Sequence, residues 1–120
     1  MTREFIELPE FLKKWRELEL TEEDLYELEV FLCKYPDKGD LIQGTGGLRK
    51  LRWNLKNRGK RVGIRTLYID FTIYEKIYLI TVYAKSEKVD LSKDEKKAVR
   101  KMIETLEQEI KGRKWSHECF

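Results

Sequence analysis

The sequence predicts an α+β fold: N-terminal helices, a small antiparallel or mixed sheet of three to four strands, and a C-terminal helix. Three observations lead there. Apolar residues recur at helical spacing up to Tyr35 and again after Ser92. Strand-type alternation fills the stretch from Leu48 to Lys85. Glycine-rich and proline-containing turns separate the two regimes. With 120 residues the chain reads as one domain, 1–120, large enough for a core and too small for two.

Taken in order, Glu4 to Leu8 reads as a short strand. Pro9 to Leu18 reads as a helix with Phe11, Leu12, Trp15 and Leu18 on one stripe. Thr21, with Asp24 three residues on, is a good N-cap for a second helix whose stripe is Leu25, Leu28, Leu32 and Tyr35. Pro36 ends it. "DKGDLIQGTGG" is expected to be a loop without regular structure. Leu48 to Trp53 alternates, setting Leu51 with Trp53 on one face and Lys50 with Arg52 on the other. Asn57 to Arg61 is a basic turn, and Gly63 to Phe71 is a strand. A hairpin then leads into Lys76 to Lys85, whose core IYLITVYA reads as a central strand packed on both sides. Ser92 with Glu95 opens the last helix, striped by Val99, Met102, Ile103, Leu106 and Ile110. The terminus carrying His117 is expected to be disordered.

The net charge of +3 conceals a strong polarity. Residues 1–40 sum to −6, residues 41–69 to +8 and residues 70–120 to +1. The stretch "GGLRKLRWNLKNRGKRVGIR", Gly46 to Arg65, holds eight Lys and Arg and no acid. Structural faces usually interleave signs, because like charges held together repel. A polyanion with phosphates is the expected partner, rather than a membrane surface, since no amphipathic anchor accompanies the charge.

Several function classes fall away. No apolar run reaches the ~18 residues of a membrane span. The start, MTREFIELPEF, is expected to carry no secretory signal. Cys33 and Cys119 form no disulfide framework and read as reduced thiols of a cytoplasmic protein. The only histidine is His117, so neither a His-based acid–base pair nor a metal site is expected. The glycines of "QGTGGLRK" lead into a strand and lack Gly-Lys-Ser/Thr, which argues against a nucleotide phosphate loop.

Lys, Arg and Tyr remain, and that set can cleave RNA, where the substrate brings its own 2′-OH nucleophile. Arg clamps phosphate oxygens in fork geometry. A Lys among other cations has its pKa pushed down towards use as a base, and aromatic rings stack on splayed bases. The candidates are Lys50, Arg52, Arg65, Tyr83 and Lys85 for catalysis, with Arg49, Lys56, Arg58, Lys60 and Arg61 for RNA binding. No cofactor is called for.

"DLIQGTGGLRKLRW", "GKRVGIRTLYIDF" and "IYLITVYAKSEKVDLSKDEKKAVRKMIE" together resemble the RelE/HigB family of bacterial toxin–antitoxin modules, its HigB-like branch above all. The likeness is dense over about residues 40–104. It implies a ribosome-dependent messenger RNA endonuclease that cuts in the A site without metal, and a cognate antitoxin of HigA-like type with a helix-turn-helix domain. The family's basic positions fall on Lys50, Arg52, Arg65 and Lys85. Two departures stand out. Arg52 occupies a position where the RelE branch has lysine, and the tyrosine that branch carries after the last strand has no counterpart among Asp90, Leu91 and Ser92. Tyr83 is the candidate replacement, and the identity of the general base stays open. The alternative is a ribosome-binding protein that docks on ribosomal RNA and blocks translation without cutting.

Overall fold

The computed structural model describes residues 2–55, 63–87 and 90–118, with side chains through residue 112. Pro9 at the first helical position starts α1 (Pro9–Glu17), which buries Phe11 and Trp15. Thr21 and Asp24 close a reciprocal capping box that starts α2 (Glu22–Lys34). Such a cap is worth about 1 kcal/mol.

Strands β1 (Glu4–Glu7), β2 (Asp40–Leu41), β3 (Leu48–Asn54), β4 (Gly63–Phe71) and β5 (Lys76–Ala84) form one sheet in the order β1-β5-β4-β3-β2. β1 runs parallel to β5, and the other pairings are antiparallel. The fold class is the expected α+β with a mixed sheet, which has five strands among the described residues rather than three to four. The addition is β2, which lies inside the segment expected to be a plain loop. Two residues cannot announce a strand by alternation, and Asp40 and Leu41 are extended because Lys50 and Arg49 pair with them. The rest of that segment is a turn, with Gly44, Gly46 and Gly47 at positive φ and the buried Thr45 hydroxyl bridging Ile42 and Leu48.

The sheet separates two apolar clusters. Phe11, Trp15, Leu28 and Leu32 of the first two helices pack on Leu51, Ile64, Tyr68, Ile77, Leu79 and Val82. On the opposite face Ile103 and Ile110 of α3 (Lys93–Glu118) pack on Leu48, Leu67, Ile69, Phe71, Tyr78 and Tyr83. Fully burying one such side chain contributes about 1.5–3 kcal/mol, so both faces of β4 and β5 are covered and the two strands read as near-continuous apolar runs. Ser92 and Glu95 cap α3 as expected. The helix continues through His117 to Glu118, where a disordered terminus is expected from sequence.

One irregularity matters later. Leu67 faces Thr81 but Tyr68 faces Leu79, so Ile80 is an extra residue in β5, a β-bulge. After it, Val82 rejoins the side of Leu79, and Tyr83 the side of Tyr78 and Ile80.

Two polar ties cross the helical side. The Tyr68 hydroxyl donates to the Pro36 carbonyl at 2.8 Å and accepts from the Gly39 amide at 2.9 Å, fixing the approach to β2. Glu29 of α2 shares a hydrogen bond with Glu7 of β1. Burial, then that bond, push its carboxyl up to about 8.

Candidate nucleic-acid interface and active site

The Leu48 carbonyl accepts from the Ile42 amide, on the β2 side of β3. By alternation, the backbone groups of Lys50, Arg52 and Asn54 also point outwards, and Arg49, Leu51 and Trp53 bond inwards to β4. Arg52 and Arg65 are therefore a non-hydrogen-bonded pair, the kind whose Cα atoms approach to about 4.5 Å. On the far side of β4, Arg65 pairs with Tyr83. Arg52, Arg65 and Tyr83 thus form a row across three strands.

A second row lies beside it. Asn54 pairs with Gly63, and the Lys85 amide donates to the Gly63 carbonyl at 3.0 Å. A Cβ on Gly63 would stand 2.9 Å from Lys85 Cδ and 3.1 Å from Asn54 Oδ1. The missing side chain is what lets the Lys85 stem lie over β4. Lys50, paired with Leu67, stands on the other side of the first row. All five expected catalytic residues are on the face that carries α3, because Lys50 and Arg52 share parity with Leu48, and Arg65 with Leu67.

Like charges opposed on a sheet destabilise it, yet no ion pair holds Lys50, Arg52, Arg65 or Lys85 among the described residues. Arg65 makes only a long 3.5 Å contact to the Ile64 carbonyl. Arg52 and Lys85 are exposed, and Lys50 and Arg65 are half-buried. Tyr83 is only 8% exposed. Burial pushes its phenol up; Arg65 opposes this, and Asp90 and Glu87 add to it. At neutral pH it keeps its proton and can donate a hydrogen bond.

Arg49 stands apart. Its guanidinium donates to the carbonyls of Asp37, at 3.1 Å, and Gly39, at 2.6 Å, on the opposite face of β3. Lys56, Arg58, Lys60 and Arg61 lie outside the described residues. Asn54 and Gly63 join the site without having been singled out from sequence. Their signal is positional, since each becomes legible only once the β3–β4 register is known. Among the described residues no three of His, Cys, Asp and Glu gather as metal ligands. None of the described helices is long and apolar enough to cross a membrane.

A model of the RelE toxin of the RelE/RelB toxin–antitoxin system matches residues 10–113. The chain belongs to the RelE toxin family. As a RelE-family toxin it is a ribosome-dependent messenger RNA endonuclease with a cognate antitoxin. Among solved structures, an arginine-to-alanine double mutant of the E. coli toxin RelE in its free state matches with 21% identity. The match covers 72% of this chain and 86% of that one, with a TM-score of 0.49.

Proposed function

We propose that this RelE toxin cuts messenger RNA in the ribosomal A site through the Arg52–Arg65–Tyr83 row, flanked by Lys50 and Lys85, without recruiting a metal. The 2′-OH attacks the adjacent phosphorus, the P–O5′ bond breaks, and a 2′,3′-cyclic phosphate and a 5′-OH result. Arg52 and Arg65, always charged, take the developing phosphorane charge. Tyr83, protonated and buried beside Arg65, donates to a phosphate oxygen. Lys50 and Lys85 carry the proton traffic at the 2′-oxygen and the leaving 5′-oxygen.

The observation that carries this reading is the cross-strand opposition of two arginines without a carboxylate between them, an arrangement that a phosphate relieves and a fold does not need. The three sequence blocks support the HigB-like branch, a HigA-like antitoxin with a helix-turn-helix domain, a single-domain chain over 1–120 and a cytoplasmic site of action. Incubating the protein with translating ribosomes and mapping new RNA 5′ ends tests it. New ends at A-site codons, lost on Arg65→Ala, are expected. Ribosome binding with no new ends would favour a non-cleaving translation block.

A further inference from the structure

The geometry points to a second phosphate-binding site on this toxin, made by Lys96 and Arg100 of α3 and the glycine loop that leads into β3. It holds an RNA backbone phosphate other than the scissile one. The inference rests on the proposed cutting of RNA in the ribosome, and it concerns how the toxin is held there.

The loop supplies free amides. Gly44 and Gly46 are exposed, at φ +84° and +80°, on either side of the fully buried Thr45. The Thr45 hydroxyl donates to the Ile42 carbonyl at 2.6 Å and accepts from the Leu48 amide at 3.1 Å, which pins the loop from inside. The Gly44 and Gly46 amides bond to no group of the protein among the described residues. Backbone N–H groups gathered in such turns bind anions.

Two cations lie on the same loop. A Cβ on Gly44 would stand 3.4 Å from Lys96 Cδ. One on Gly46 would stand 3.5 Å from Arg100 Cγ and 3.9 Å from its Nε. Both stems therefore rest on bare glycine backbone, with their charges beside the loop. Neither side chain joins an ion pair among the described residues, although Glu104 lies one turn beyond Arg100. Like charges four apart on a helix destabilise it. Lys96–Arg100 is such a pair, and Lys93–Lys97 and Lys97–Lys101 repeat the pattern.

Two cations and two amides are all donors, and residues 41–47 bring no acid. That set calls for an anion. Lys50 and Arg52 follow along β3 on the face that carries α3, so the site adjoins the basic face. Leu48, where the loop ends, is four strand residues from Arg52, about 13 Å. Neighbouring phosphates of one strand lie closer together than that. The site therefore takes a phosphate of ribosomal RNA or a more distant one of the messenger. Phosphate contacts fix register and orientation and carry no sequence information. Lys96 and Arg100 thus set affinity for the ribosome and leave the chemical step to the row.

The test compares the parent with Lys96→Ala/Arg100→Ala on message-free ribosomes and on ribosomes programmed with messenger. A parent that binds neither would count against the proposed function itself, before this site is at issue. Given binding, the double variant should lose affinity by about tenfold or more, and its salt slope should fall by about 1.4, two cations at about 0.7 each. The half-saturating ribosome concentration for cleavage should rise equally, with the rate at saturation unchanged within about twofold. Lys96→Arg/Arg100→Lys keeps both charges and should restore affinity to within about threefold. A loss on message-free ribosomes assigns the phosphate to ribosomal RNA, and a loss only on programmed ones assigns it to the messenger. Unchanged affinity of the folded alanine variant on both, or a fall in the saturated rate alone, overturns the inference.

Discussion

Arg52 and Arg65 stand directly opposite each other across β3 and β4, and no carboxylate bridges them among the described residues. The free protein holds this arrangement at a cost, and a bound phosphate removes that cost. Function and stability should therefore part company at these positions.

Arg65→Ala should lower ribosome-dependent cleavage by about a hundredfold or more, the scale of losing one transition-state donor. It should leave the melting temperature unchanged or slightly raised, because a like-charge pair is relieved. Growth arrest as strong as the parent's would remove Arg65 from the site.

Gly63→Ala probes the neighbouring row. The new Cβ would stand 2.9 Å from Lys85 Cδ, so the lysine stem must move. Misplacement of about an ångström costs up to about a hundredfold in rate. Cleavage should fall ten- to a hundredfold with little change in the urea midpoint, and equal rates would show that Lys85 does not need its seat on β4.

Affinity for a single-stranded RNA oligomer should fall steeply with salt. Neutralising four phosphates with Lys50, Arg52, Arg65 and Lys85 gives a log–log slope of about −3, and Arg52→Ala should reduce it by about 0.7. Fluorescence titrations over a range of ionic strength read this directly. A flat dependence would mean the basic face does not meet nucleic acid.

Glu29 makes stability pH-dependent in a direction unusual for a carboxyl. Its folded pKa is about 8 against an ordinary 4.5, so the native state holds the extra proton. Its contribution is present in full below about 4.5 and is lost as pH rises towards 8, with a ceiling of about 1.4 kcal/mol per pH unit. Water reaching the half-buried carboxyl lowers that ceiling. Glu29→Gln should flatten this slope and be more stable than the parent at pH values above about 8, since a neutral amide takes the place of the buried charge. Parallel slopes in denaturation series of the two proteins would remove the Glu7–Glu29 proton from the account.

Tyr68→Phe should cost about 1–3 kcal/mol, because the Gly39 amide and Pro36 carbonyl lose a buried partner. Tyr68 sits on the helical face, so cleavage below the melting range should be unaffected. A rate loss at full folding would tie that loop to the site.

The elements with strong local signals were legible in the sequence. The Thr21–Asp24 box, the Ser92–Glu95 box and the apolar run of β5 each announce themselves within a few residues. So did the face shared by Lys50 and Arg52, and the same alternation already set Arg49 on the other side with Leu51 and Trp53. What stayed hidden depends on partners distant in sequence. Asp40 and Leu41 are a strand only because β3 lies beside them. Glu29 keeps its proton because the fold buries it and sets it beside Glu7, across the gap between α2 and β1. Asn54 and Gly63 look like ordinary residues at strand ends until pairing sets them on either side of the Lys85 stem.

The extra residue at Ile80 gives β5 slack in its length. Without Ile80, Leu79 would be followed directly by Thr81, and the pairings Tyr68–Leu79, Leu67–Thr81 and Arg65–Tyr83 would run on as a regular ladder. Tyr83 and Lys85 would keep their place beside Arg65, so a one-residue loss at the bulge is absorbed. β4 has no such reserve between Arg65 and Leu67. Loss of Thr66 there would turn Arg65 towards α1 and α2, leaving every functional side chain in the chain and the row broken.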